Sequence, residues 1–241
     1  MTIVSGHQPA YLPWLGLLHK ASLCDVFIYM DDVQFLDRDF NHRNRVLAPN
    51  GQVLWLTVPV DRKASSSRLL KDILIKRGDG QHSWQHKHWS TLKACYGKAP
   101  YFKVYASFFE QLYQGTCWKR LADLNLAILR QVFAWFNIHA RIVIGSELGF
   151  SGKKSDLVLE HCRCFGAQTV VTGSFGRDYI TLDDFNNLGV KVHFQDYNQP
   201  TYKQRIGSEF ISRLSFVDLL FNHGPDATKI MRQDNIGRTE L

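Results

Sequence analysis

The 241-residue chain is poor in the patterns by which proteins declare a chemistry. Its five cysteines, Cys24, Cys95, Cys117, Cys162 and Cys164, are odd in number and scattered. They do not suggest a disulfide framework, and a reduced, cytoplasmic protein is the simplest expectation. No run of about 18 uncharged apolar residues occurs, so no membrane span is expected. The N-terminus reads directly into a strand-like segment without a basic, apolar, small-residue leader pattern. There is no GxSxG elbow, no GxxxxGK[ST] loop and no GxGxxG fingerprint, which removes the simplest hydrolase, P-loop and dinucleotide assignments. His82, His86 and His88 invite a metal reading, but no HExxH is formed and no third ligand is identifiable, so no metal is expected. Cys162 and Cys164 likewise lack a second cysteine pair.

A long arginine-lysine block is also missing. The net charge is +7, from 29 basic and 22 acidic residues. That surplus could steer phosphates, nucleotides or nucleic acid toward a cleft, or equally form a solvated face. Without a basic block, nucleic acid is not expected as an obligatory partner, and a small phosphorylated ligand is preferred. No internal repeat or low-complexity linker is present.

What is present reads as one α/β domain over 1–241. Apolar residues make up 45%, and the length suffices for a substantial core. The segments "CDVFIYMDD", "VLWLTVPV", "ARIVIGSEL", "AQTVVTGS" and "VKVHFQDY" read as strands. The first is continuously apolar, as a buried parallel strand is. A short helix is expected near 15–23. "SWQHKHWSTLKACY", "YFKVYASFFEQLY" and "WKRLADLNLAILRQVFAWF" carry apolar residues at three- and four-residue spacing and predict a helical lobe over 82–138. Its many aromatic residues are read as packing between helices. "KKSDLVLEHCRCF" is a helix with Gly166 suited to its C-terminal end. "SEFISRLSFVDLLFNHG" is expected to be a final helix, with a polar tail after Gly224 that frays. Alternation of strand and helix in the last third predicts a mainly parallel, nucleotide-binding-like sheet with a helical middle insertion.

In such sheets ligands lie beyond the carboxyl ends of the strands. That rule gathers the candidates. His7, Gln8, Tyr11 and Trp14 follow the first strand in "SGHQPAYLPWLGLLHK". His7 suits acid-base work or phosphate contact, Gln8 a base or sugar edge, and Tyr11 and Trp14 stacking on a flat ligand. Pro9 and Pro13 stiffen the loop. Asp31, Asp32 and Gln34 end the next strand. One of the aspartates could orient His7, hold a diol or meet a metal. In "FNHRNR", Arg43 and Arg45 alternate and could aim at one anionic group, with Asn44 between them. Gly173, Ser174, Gly176 and Arg177 follow a later strand, and Gln195 ends the last.

The same stretches carry a resemblance. "HQPAYLPWLGLLHK", "DVFIYMDDVQF", "RNR" with "WLTVPV", "TGSFGRDY", "VHFQDY" and "SFVDLLFNHG" resemble the WbqC-like protein family over nearly the whole chain. That family is associated with bacterial surface-polysaccharide and related biosynthesis. The resemblance therefore implies a biosynthetic enzyme but names no reaction. A second resemblance is to the adenylyl-transferring enzymes of the HIGH superfamily, pantothenate synthetase above all. It rests on the spacing from Gly6 to Val33-Gln34-Phe35. The HxGH signature is absent, Tyr11-Leu12-Pro13-Trp14 standing in its region, and no KMSKS-like loop is evident. The combined expectation is a group-transfer enzyme for a nucleotide-linked sugar or related phosphorylated metabolite. His7, Asp31 and Asp32 would be catalytic and the remaining candidates would bind substrate. An adenylating enzyme and a noncatalytic sugar- or nucleotide-binding protein are the alternatives. No cofactor is named, and a homo-oligomer is compatible with the sequence.

Overall fold

The computed structural model describes residues 1–78, 80–207 and 209–241. The chain opens with strand β1 (Ile3–His7), helix α1 (Leu15–Ser22) and strand β2 (Val26–Tyr29). A long insertion follows. It contains a hairpin of β3 (Arg43–Leu47) and β4 (Val53–Thr57) and a small pair, β5 (Val60–Asp61) with β6 (Leu74–Ile75). Then come helices α2 (Trp84–Tyr96), α3 (Phe102–Glu110) and α4 (Leu121–Trp135), with a π-helical turn at Gln111–Gly115. The chain returns through β7 (Arg141–Ile144), α5 (Ser155–Phe165), β8 (Thr169–Gly173), α6 (Leu182–Asn187) and β9 (Lys191–Gln195). It closes with α7 (Phe216–His223) and α8 (Ala227–Arg232).

Five strands pair in the order β7-β2-β1-β8-β9, all parallel. All four residues of β2 are buried, as expected for a strand covered on both faces. One face carries Ile3, Phe27, Tyr29 and Val171 and packs on α1, α4, α7 and α8. The other carries Val4, Val26, Ile28 and Val170 and packs on α5 and α6 through Val158, Leu159, Cys162 and Phe185. The chain fills the sheet outward from β1 on one side, then returns to β8 and fills the other. The order therefore reverses between β1 and β8.

The helices of the insertion share the core of the first face. Phe27 meets Phe133 edge-on, and the Tyr29 hydroxyl donates to the Ala122 carbonyl at 2.7 Å. Trp89 stacks on Phe102, and Phe102 and Phe109 both pack on Phe221 of α7. These aromatic groups bind helix to helix. Gly166 ends α5 with φ +57°, the left-handed cap its position suggested.

Two expectations at the C-terminal end are corrected. The last long helix begins only at Phe216, where Ser215 caps it through its hydroxyl. Residues 209–214 before it form no helix or strand and are tied to the body instead, and Ser208, where the expected helix would begin, lies outside the described residues. Ile211 N donates to the Gln204 side chain, and Gln204 Nε2 and the Tyr202 hydroxyl both donate to Asp218. The first part of the tail after Gly224 is not free but packs as α8. Ala227 and Met231 are fully buried, so a few apolar positions hold α8 down despite its polar composition.

Candidate functional site

The point where the strand order reverses is also where the sheet opens. β1 pairs with β2 as far as His7 and Tyr29, and β8 pairs with β9 as far as Gly173 and Gln195. β1 and β8 pair only as far as Ser5 and Val171. Their last two residues are not joined to each other. A Cβ built on Gly173 would meet no atom within 4 Å, so space stands over the end of β8. By the period-two rule, His7, Gly173 and Gln195 open toward the face that carries α1.

His7 keeps part of its surface accessible beside this opening. Its Nδ1 lies 2.8 Å from the Gln8 carbonyl, which fixes Nδ1 as the protonated nitrogen and leaves Nε2 as an acceptor. Burial, and secondarily the Lys20 charge, push its pKa down to about 3. It is a neutral imidazole at neutral pH. Lys20, from α1, is 4% exposed. Its Nζ donates to the Gly6 carbonyl at 2.9 Å, and burial pushes its pKa down to about 8.

The other residues of the opening loop divide. Gln8 Oε1 accepts from Asn41 Nδ2, and Asn41 Nδ2 also donates to the Pro9 carbonyl, so Asn41 holds the loop start. Tyr11 is fully buried. Its hydroxyl bonds to His88 Nδ1 at 2.7 Å and to the Tyr113 hydroxyl, tying the loop to the helical lobe. Trp14 is partly buried and meets Tyr197 edge-on. Its indole folds back over Gly16, where a Cβ would lie 2.2 Å from the ring. Gly16→Ala is therefore expected to push the Trp14 ring off α1. A shifted tryptophan emission with little loss of helix signal would record it.

Asp31 is buried and committed. Its two oxygens accept from Ser146 N at 2.9 Å and Ser146 Oγ at 2.8 Å, which ties the end of β2 to the turn after β7. Asp32 is partly exposed beside Gly145, and burial with the Asp31 charge raises its pKa. Gln34 is exposed further along. Arg43 and Arg45 do share one face, as their alternation implied. Their guanidinium carbons lie 4.6 and 5.7 Å from the centre of the Trp55 ring. Their Nη2 atoms donate to the Arg38 and Arg213 carbonyls. Asn44, on the opposite face, is fully buried, and its Nδ2 donates to the Leu12 and Tyr11 carbonyls.

After β8, Ser174 is exposed and Gly176 is buried against the Thr172 side chain. Arg177 lies over Phe194 and reaches Asp196 at 3.4 Å, both side chains substantially exposed. Gln195 is buried. Its Nε2 donates to the Gly16 carbonyl and to His19 Nδ1, clamping β9 to α1. Thus His7, Gln8, Gly173 and Ser174 gather at the sheet opening, with Asp31 and Asp32 at the neighbouring strand end. Tyr11, Asn44 and Gln195 turn inward and shape its walls.

Two recesses lie elsewhere. One, of about 440 Å³, is walled by Ser83, Gln85, His86, Gln114 and Thr116 on the helical lobe. The other, of about 540 Å³, lies along α8 beside Lys229 and Arg232. Neither brings in a buried charged side chain among the described residues.

The protein-family model described as "WbqC-like protein family" matches residues 8–230. The chain belongs to the WbqC-like protein family. An uncharacterized protein of Mycobacterium tuberculosis, Rv1507c, is 30% identical over 226 residues, covering 93% of this chain and 95% of its own. No solved structure matches. No helix among the described residues is long and apolar enough to cross a membrane.

For this WbqC-like chain, sequence reading passed over two residues at the opening. Lys20 was hidden because a lysine in a short helix ordinarily points to water. The turn that follows β8 carries Phe175, 80% exposed. It sits within "TGSFGRDY", and the strand-end rule applied residue by residue could have included it.

Proposed function

We propose that this protein is a biosynthetic group-transfer enzyme acting on a nucleotide-linked sugar or related phosphorylated metabolite. The observation that carries the reading is the opened β1–β8 edge, with His7 beside unfilled space over Gly173. In this reading the acceptor hydroxyl lies against His7 Nε2. As the hydroxyl oxygen bonds to the transferred group, its proton passes to His7 and the phosphate-bearing leaving group departs with the bonding pair. Asp32 orients the acceptor hydroxyl, and Asp31 holds that strand end through Ser146. Gln8 and Trp14 position the substrate, and the exposed Phe175 offers an apolar face to it. Arg43 and Arg45 offset phosphate charge from one face of the hairpin. Donors fixed by folding stabilise developing charge without reorganising when it appears.

Family membership supports the biosynthetic setting. The test begins with mass spectrometry of the ligand that purified protein retains from a cell-extract metabolite pool. Turnover is then assayed with that ligand. His7→Ala is expected to lower turnover by roughly 10²–10⁴-fold while the protein stays folded. Unchanged turnover in the folded variant would sink the role given to His7. Release of pyrophosphate from ATP would favour an adenylating enzyme, and retention without any turnover would favour a binding protein.

A further inference from the structure

A buried ammonium needs a counter-charge or full hydrogen bonding. Lys20 has neither. Among the described residues no carboxylate pairs with it, and its hydrogen bond is to the Gly6 carbonyl. The direction of that carbonyl locates the charge. Ile3 and His7 accept from Asp25 and Met30 on the β2 side, whereas Thr2 accepts from Gln168 and Thr169 on the β8 side. Gly6 shares the parity of Thr2, so its carbonyl points toward β8. No β8 amide reaches it, because the pairing stops at Ser5 and Val171. Lys20 Nζ occupies the gap instead. The same gap holds the open space over Gly173, on the α1 face, beside His7.

We propose that the gap between β1 and β8 is an anion site, in which Lys20 Nζ binds an anionic oxygen, phosphoryl or carboxylate, beside the His7 ring. Calling that ligand a substrate rests on the group-transfer reading; the anion site itself rests on the geometry. A pKa near 8 leaves Lys20 mostly cationic at neutral pH, and a bound anion would raise it. The anion would likewise favour protonation of His7, coupling substrate binding to the proton that His7 receives.

Calorimetric titration of the full chain with pyrophosphate, a nucleoside diphosphate and malonate tests the site and separates phosphate from carboxylate. At least one probe is expected to bind. Lys20→Met should weaken it by about tenfold or more, the usual effect of losing a charge-assisted hydrogen bond. Gly173→Val, which fills the space and leaves Lys20 in place, should weaken it comparably. The free Lys20→Met protein should melt at the same temperature or higher, because an unpaired buried charge has gone. If Lys20 only staples Gly6, Lys20→Met will melt lower and bind as before, which overturns the proposal. Failure of the unaltered protein to bind any probe at millimolar concentration overturns it too. Binding that depends on Lys20, without turnover of any acceptor, would support the anion site and count against group transfer.

Discussion

Acidification from pH 7 to pH 4 is expected to destabilise the protein steeply, chiefly through His88 and His161. Both are buried, at 5% and 2% exposure, and burial pushes each pKa from 6.5 to about 4. His88 has a specific reason to stay neutral. Its Nδ1 lies 2.7 Å from the Tyr11 hydroxyl, which is hydrogen-bonded in turn to the Tyr113 hydroxyl. The nearby Thr57 backbone offsets the burial only in part. Charging the ring would place a cation in this buried, aromatic-lined pocket without a counter-charge from its hydrogen-bond partners. His161 lies against Phe150, and Glu160 offsets its burial only in part.

The sign follows from proton counts. Between about pH 4 and 6.5 the unfolded chain binds more protons at these sites than the folded one. Stability therefore rises with pH across that window and is lost as pH falls. At pH 4 each site removes roughly 3 kcal/mol, to order of magnitude. Two such losses approach a typical total stability of about 5–15 kcal/mol. The lowered pKa of His7 acts in the same direction. Urea unfolding midpoints between pH 7 and pH 4.5 provide the measurement. A flat profile would mean that these rings are solvated or already paired with an acid.

Asn44→Ala is expected to cost roughly 2–4 kcal/mol, because it leaves buried loop carbonyls without their donor. Asn44 Nδ2 donates to the Leu12 carbonyl at 2.6 Å and the Tyr11 carbonyl at 3.3 Å, and Oδ1 accepts from Arg45 N. Leu12 is fully buried with φ +44°, a conformation that leucine adopts at a cost of about 1–2 kcal/mol. The loop accepts that strain because Asn44 from below and Asn41 from the side fix its carbonyls. Asn44→Asp should be no milder, since it sets a carboxylate oxygen where a donor stood. Chemical denaturation gives the magnitude. A loss below about 0.5 kcal/mol would show that the loop is held mainly by its apolar packing. Because the same loop carries Gln8 and Trp14, the variant should also weaken whatever ligand the protein retains.

These two networks mark where reading the sequence stopped short. The parallel core was legible, since "VFIY" and "TVVTG" are apolar without alternation and lie between helical segments. The cap at Gly166 was legible for a local reason, the freedom of glycine at positive φ. The strand-end rule points to His7 and Gly173 because it needs only strand boundaries. It could not tell Tyr11 from Trp14, three residues apart in the same loop. One is held by His88 and Tyr113 from the distant helical lobe, and the other lies partly open beside Tyr197. Nor could it separate Arg43 and Arg45 from Asn44 by depth. Alternation puts them on opposite faces but does not say which face is covered. The tail after Gly224 was misread because burial of Ala227 and Met231 depends on a surface supplied by other elements.

The sequence by itself determined the α/β class, the strand ends and the family. Those follow from local periodicity and from motifs contiguous in the chain. The tertiary structure alone decided that the strand order reverses between β1 and β8 and that pairing stops there two residues early. It also decided that a lysine from α1 stands in the gap. These depend on which strands become neighbours and which side chains lose water, and contacts between residues 166 positions apart leave no period in the sequence to read.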